Sequence, residues 1–238
     1  MIEDVGADRL DRLDWEALQA QLDENGYART PPVLTRAQCA SLVRLYDRDS
    51  RFRSRVVMER HRFGVGEYKY FARPLPPLVE ELRSRLYPAL ARVANGWMDA
   101  LADPRRFPPS LDAFLDVCAA AGQREPTPLL LRYEAGGYNC LHQDLYGEVA
   151  FPLQVAVMLS QPERDYEGGE FLLVEQRPRS QSAGEAITAG QGETVIFPNR
   201  ERPARGSRGF HRVNVRHGVS RVRSGRRLTL GLIFHDAR

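Results

Sequence analysis

At 238 residues, 42% hydrophobic and 27% charged with a net charge of +3, the chain has the make-up of a globular protein near the upper size of one domain. No apolar run approaches the roughly 18 residues that a membrane span needs, and residues 1–14, rich in acids and arginines, lack the apolar core of a secretory signal. Cys39, Cys118 and Cys140 are odd in number and without paired spacing, which argues against a disulfide framework or a zinc ribbon and points to a reducing cytoplasm.

The first 125 residues read as mostly helical. Trp15, Leu18 and Leu22 recur at helical spacing until Asn25-Gly26 stops them. Thr35-Arg-Ala-Gln38 has the form of a capping box, and Cys39, Leu42, Val43 and Tyr46 then make one apolar face. Residues 55–59 and 67–71 read as strands joined by a Gly64-Val-Gly66 turn; without a third glycine and a following helix, this is no dinucleotide fingerprint. Pro76-Pro77 opens a helix with Leu78, Leu82 and Leu86 on one side, and Pro88 is expected to kink or restart it. Ser110 caps a short helix that Gly122 ends.

From Thr127 the character changes to short apolar runs (129–133, 153–159, 171–174, 193–197 and 228–234) separated by glycine-rich turns. Many short strands with turn signals indicate a β-sandwich or barrel. The expected layout is one domain over 1–238, with a helix-rich layer (1–125) packed on a β core (126–238).

Within that core, His142-Gln-Asp144 puts an imidazole and a carboxylate at i and i+2, on one face of a strand or its exit. One more histidine would complete a 2-His-1-carboxylate set with open positions on an octahedral metal. His217 supplies it, ten residues before Arg227. A short hairpin turning at Gly225 would bring both side chains into one cavity, where a guanidinium can grip a carboxylate bidentately. His211 with Arg221 repeats the ten-residue interval, but it lacks the glycine and the final strand. His235 reads as structural or solvent-facing, and His61 lies by the Gly64–Gly66 segment, where it lines a cavity mouth or the plain surface.

Together these segments resemble the 2-oxoglutarate/iron(II) oxygenase superfamily. The matching blocks are Leu131-Arg-Tyr133-Glu-Ala-Gly-Gly-Tyr-Asn-Cys-Leu-His142-Gln-Asp144, Tyr166-Glu-Gly-Gly-Glu170-Phe, Gly192-Glu-Thr-Val-Ile-Phe197, and His217-Gly-Val-Ser-Arg-Val followed by Gly225-Arg-Arg227. The resemblance implies an α+β protein whose mainly β core is a double-stranded β-helix (jelly roll), with the N-terminal helices packed outside. It also implies Fe(II), 2-oxoglutarate and O2 as cofactors. It places the metal ligands on His142, Asp144 and His217, the residue pairing with the distal carboxylate of 2-oxoglutarate on Arg227, and a tyrosine contacting that cosubstrate on Tyr133. Thr229, on the strand face of Arg227, is expected to add a hydroxyl. Related halogenases replace the carboxylate with a small residue; with Asp144 present, hydroxylation is expected.

The stretch R-Y-x-x-G-x-x-x-x-L-H-Q-D is similar to that of AlkB-type enzymes, and nearly the whole chain resembles a bacterial family of oxygenases expected to dealkylate damaged DNA. Eleven arginines against two acids from Arg200 onward would suit a phosphate backbone, although Lys69 is the only lysine and so strong a skew also fits a codon bias. Tyr68, Tyr70 and Phe71 are candidates for stacking an extruded base. The His217–Arg227 interval instead resembles the prolyl-hydroxylase branch, so a protein or peptide substrate is the alternative to nucleic acid. A non-catalytic metal-binding jelly roll is the third reading. The segment 199–209 is a candidate lid.

Overall fold

The computed structural model describes residues 7–144, 147–177, 181–207 and 209–238; residues 1–6 of the segment 1–14, and Arg208 of the segment 199–209, lie outside them. The helices are α1 (Ala7–Asp11), α2 (Trp15–Asn25), α3 (Arg36–Leu45), α4 (Pro77–Ala100) and α5 (Leu111–Ala120). The strands are β1 (Ala28–Arg29), β2 (Phe52–Val57), β3 (Gly64–Val65), β4 (Glu67–Phe71), β5 (Leu129–Glu134), β6 (Tyr138–His142), β7 (Leu153–Met158), β8 (Tyr166–Gly168), β9 (Phe171–Gln176), β10 (Ala183–Ile187), β11 (Thr194–Pro198), β12 (Glu201–Gly206), β13 (Gly209–Val219) and β14 (Val222–Leu232).

They form two antiparallel sheets. The larger runs β1-β11-β7-β14-β5-β4-β2, with β8 against β14; the smaller runs β10-β9-β13-β6-β3, with β12 against β13. The chain crosses repeatedly between the sheets, at β5–β6, β6–β7, β8–β9, β10–β11, β11–β12 and β13–β14, as in a jelly roll. Side-chain alternation then fixes what each face of the larger sheet meets. On β14 and beyond, Leu228, Leu230, Leu232 and Phe234 pack with Leu22, Leu42, Leu86 and Phe114 of the helices. Arg227, Thr229, Gly231 and Ile233 face the opposite way, into a cavity between the sheets. Both faces of β14 are covered, and that explains the unbroken apolar run in its sequence.

The helical expectations hold at their caps. Thr35 and Gln38 form the capping box, Ser110 caps α5, and Gly26 ends α2 in the left-handed region; the structure adds Asp14, which accepts from Ala17 N–H at the start of α2. Pro88 does not divide α4, which continues from Pro77 to Ala100. Leu86, Tyr87, Ala89 and Leu90 are buried around it, and this packing offsets the missing backbone donor. No helix among the described residues is long and apolar enough to cross a membrane.

Three local expectations are corrected. Gly64-Val65 is not a turn but a short strand in the smaller sheet, pairing with Tyr138 and Asn139. At Gly64, φ is +136° and a Cβ would fall 2.3 Å from Tyr138 O, so only glycine fits. The turn expected at Gly225 lies earlier: β13 ends at Val219, β14 starts at Val222, and Gly225 sits inside β14. Residues 199–209 are largely strand, with Glu201–Gly206 paired to β13, rather than a loop.

A buried ion pair ties α4 to the chain end. Arg83 donates to Ile233 O (3.0 Å), Phe234 O (2.8 Å) and Asp236 Oδ1 (2.8 Å). Asp236→Ala strands that guanidinium and is expected to cost about 3–5 kcal/mol. Urea unfolding checks this, and a loss below about 1 kcal/mol would contradict it.

Candidate active site

β6 and β13 are antiparallel neighbours whose register sets His142 opposite His217. His142 closes β6, and Asp144 follows it beyond the strand end. His142 Nε2 lies 3.6 Å from Asp144 Oδ1, and His217 Nε2 lies 3.2 Å from Asp144 Oδ2. One ligand atom from each of the three residues falls within 4.8 Å of the others. At typical nitrogen and oxygen ligand distances of about 2.0–2.2 Å, this spacing admits one ion.

The protonation pattern suits a metal. His142 Nδ1 lies 2.8 Å from Cys140 O, which holds the proton there and leaves Nε2 free to ligate. Burial first, then the neighbouring His217, pushes the His142 pKa below the ordinary histidine range, so the ring is neutral near pH 7. His217 is buried between Phe171 and Phe197, whose ring centroids lie 6.0 and 4.7 Å away. Two imidazoles and one carboxylate form the donor set of a non-haem iron(II) site.

Asp144 is held by residues the sequence reading passed over. Gln154 Nε2 donates to Asp144 Oδ2 (3.1 Å) and to Asn199 Oδ1 (2.7 Å), and both amides are buried. Gln154→Leu is expected to weaken metal affinity about 10–100-fold. Equilibrium titration with iron(II) tests this, and wild-type affinity would refute it.

The triad opens onto a cavity of about 400 Å3 with mainly apolar and aromatic walls. Arg227 and Thr229 line it from β14, so the arginine and His217 reach it from opposite sheets and not from one hairpin, as expected above. The Arg227 side chain is buried. Nη1 donates to Thr229 Oγ1 (2.7 Å), Nη2 contacts Met158 Sδ (3.6 Å), and Nε has no hydrogen-bond partner. No carboxylate among the described residues lies within ion-pairing distance of it. A buried guanidinium without a counter-ion is costly unless an anion comes to it.

Tyr133 is fully buried directly across the strand pair from Arg227, its ring 5.7 Å from the guanidinium carbon. It stands behind the arginine and is not among the residues lining the cavity. Tyr68 and Tyr70 do line it, whereas Phe71 is buried in the helix-side core against Phe52. His211 sits on β13 opposite Ala204, off the cavity wall. His235 is structural: its Nδ1 accepts from Phe151 N–H, and burial lowers its pKa to about 4.

The arginine-rich tail is ion-paired in part, while Arg205, Arg216 and Arg221 are exposed and do not line the cavity. Arg202 is buried on Glu175 (2.9 Å), Arg212 pairs with Asp103 (2.7 Å), Arg226 with Glu134 (2.9 Å) and Arg238 with Glu148 (3.0 Å). Among the described arginines from Arg200 onward, only Arg227 lines the cavity.

Comparison with known proteins matches residues 66–237 to the model of a family described as an oxygenase catalysing oxidative methylation of damaged DNA. An uncharacterized protein of Mycobacterium tuberculosis is 53% identical over 167 residues, covering 70% of this chain and 72% of that protein. Among solved structures, a Pseudomonas putida prolyl-4-hydroxylase is 13% identical with a TM-score of 0.58, covering 94% of this chain and 99% of that one. An oxidoreductase of the 2OG-Fe(II) oxygenase family from Burkholderia pseudomallei is 16% identical with a TM-score of 0.55, covering 95% and 94%. At these identities the structural likeness concerns the fold.

Proposed function

The chain belongs to the oxygenase family whose model spans residues 66–237, and on that premise we propose that its cavity oxidises alkyl groups on damaged nucleic acid. It is an enzyme of the iron(II)/2-oxoglutarate-dependent oxygenase superfamily. His142, Asp144 and His217 are the residues to hold the iron, Arg227 with Thr229 to hold the distal carboxylate of 2-oxoglutarate, and Tyr133 to brace the arginine from behind. The helical layer and the β core serve as one domain.

The observation that carries this reading is the convergence in one cavity of a two-histidine, one-carboxylate cluster and a buried arginine that lacks a counter-ion. When bound, iron(II) with 2-oxoglutarate and O2 supplies the oxidation, giving succinate, carbon dioxide and a hydroxylated C–H bond. The protein orients these reactants and shields them from water. Asp144 is fixed by Gln154, His142 by Cys140 O, and Arg227 by Thr229. Phe171, Phe197, Leu129, Leu131 and Ile233 keep the walls apolar. Hydroxylation of an N-methyl group gives an N-hydroxymethyl group, whose C–N bond then breaks, releasing formaldehyde as the hydroxyl proton returns to the nitrogen.

The family description supports the nucleic-acid substrate. A second reading, a peptide hydroxylase, is favoured by the short His217–Arg227 interval and by a cavity wall to which no described tail arginine other than Arg227 contributes. A non-catalytic binding module fits less well, because the cavity lies open over the triad.

Succinate release is to be measured, with iron and 2-oxoglutarate supplied, across methylated oligonucleotides and a proteome-derived peptide pool. Stimulation by methylated oligonucleotides with matching formaldehyde is expected. Stimulation by peptides alone would overturn the dealkylation reading.

A further inference from the structure

Large apolar side chains with substantial exposure are few among the described residues: Phe63, Val117, Leu141 and Phe210. Two of them, Phe63 (46% exposed) and Leu141 (42% exposed), lie together on the cavity rim. Cys140 N–H donates to Phe63 O (2.8 Å), which sets the two segments side by side, two residues before His142. The Phe63 ring stacks on His61 at 5.3 Å with 23° between the planes.

Arg62, between those two rings, also lines the cavity. Its φ of +60° is a conformation that a non-glycine residue adopts at a cost, and such strain gathers where a side chain must be aimed. Arg60 and Arg62 form no ion pair with a described residue, in contrast to Arg202, Arg212, Arg226 and Arg238. Behind this lip, Tyr68 and Tyr70 meet edge to face (5.5 Å, 85°) on the path to the triad.

We infer that residues 60–63 and Leu141 form the substrate-gripping lip, with an unpaired nucleobase stacked on Phe63 and a flanking phosphate on Arg62. An exposed ring pair offers a flat face that any base can stack on. An arginine without a counter-ion beside it supplies the charge a phosphate seeks. The arginine offered to nucleic acid at the cavity mouth thus lies in the short segment after β2. This assignment rests on the dealkylation reading and adds to it which residues meet the substrate.

The test uses the full chain, loaded anaerobically with iron(II) and 2-oxoglutarate, and a fluorescent methylated single-stranded oligonucleotide. Phe63→Ala is expected to weaken binding about tenfold. Arg62→Gln is expected to weaken it and to lower the salt dependence by about one phosphate contact. Phe210→Ala, a control removing an equally exposed ring (53%) away from the cavity, should bind as wild type. Equal binding by wild type, Phe63→Ala and Arg62→Gln would overturn the lip, and if oligonucleotides still stimulate succinate release the dealkylation reading stands. A wild-type protein that binds proline-rich peptide and not the oligonucleotide would overturn both.

Discussion

Asp144→Ala and His142→Ala are each expected to reduce succinate formation to that of the metal-free protein, with loss of stoichiometric iron binding. Each removes one of three ligands from a site whose donor atoms converge within 4.8 Å, leaving two ligands for a metal that needs a facial set of three. His211→Ala, on the same strand as His217 but off the cavity wall, should retain wild-type turnover. Iron titration and succinate assay on the three variants check the prediction. Full turnover by either ligand variant would refute the site.

The second large effect concerns Arg227. Arg227→Met is expected to raise the KM for 2-oxoglutarate about a hundredfold or more, since removing one side of a buried charge pair costs about 2–5 kcal/mol. Without ligand, the same variant should melt no lower than wild type. Arg227 is 2% exposed with no carboxylate beside it, and exchanging such a charge for an apolar side chain of similar size is neutral or stabilising. In wild type, 2-oxoglutarate at about 100 times its Kd should add about 2.7 kcal/mol of stability, and Arg227→Met should lose most of that gain. An unchanged KM, or a ligand-free melting temperature several degrees lower, would show that Arg227 serves the fold and not the cosubstrate.

The parts of this site readable in the sequence are the local ones. His142 and Asp144 stand two residues apart at a strand exit, so strand geometry alone puts them on one face. The apolar run before Phe234 marks a strand covered on both sides. The route between His217 and Arg227 was not readable. Ten residues suggest a hairpin, yet the chain crosses at Ser220-Arg221 from one sheet to the other, and the sheet a strand joins depends on partners far away. The β-strand pairs β13 with β9 and β14 with β5 decide it, and neither pairing is local.

Gln154 and Asn199 escaped notice for the same reason. Each is a single amide in an apolar stretch, and the bonds that reveal them span 10 and 45 residues. Counting charges along the tail misled in the opposite direction. Arg202 and Arg212 find Glu175 and Asp103 across the fold, so part of the basic segment is closed by ion pairs. The arginine at the cavity mouth, Arg62, lies in a second arginine-rich stretch, after Arg51, Arg53, Arg55 and Arg60.

The most direct test of the site is anomalous diffraction at the iron edge from crystals grown anaerobically with iron(II) and 2-oxoglutarate. A single iron peak within coordination distance of His142 Nε2, Asp144 and His217 Nε2, with the far carboxylate of 2-oxoglutarate on the Arg227 guanidinium, is the predicted result. Iron absent from the triad, or 2-oxoglutarate bound away from Arg227, would contradict it.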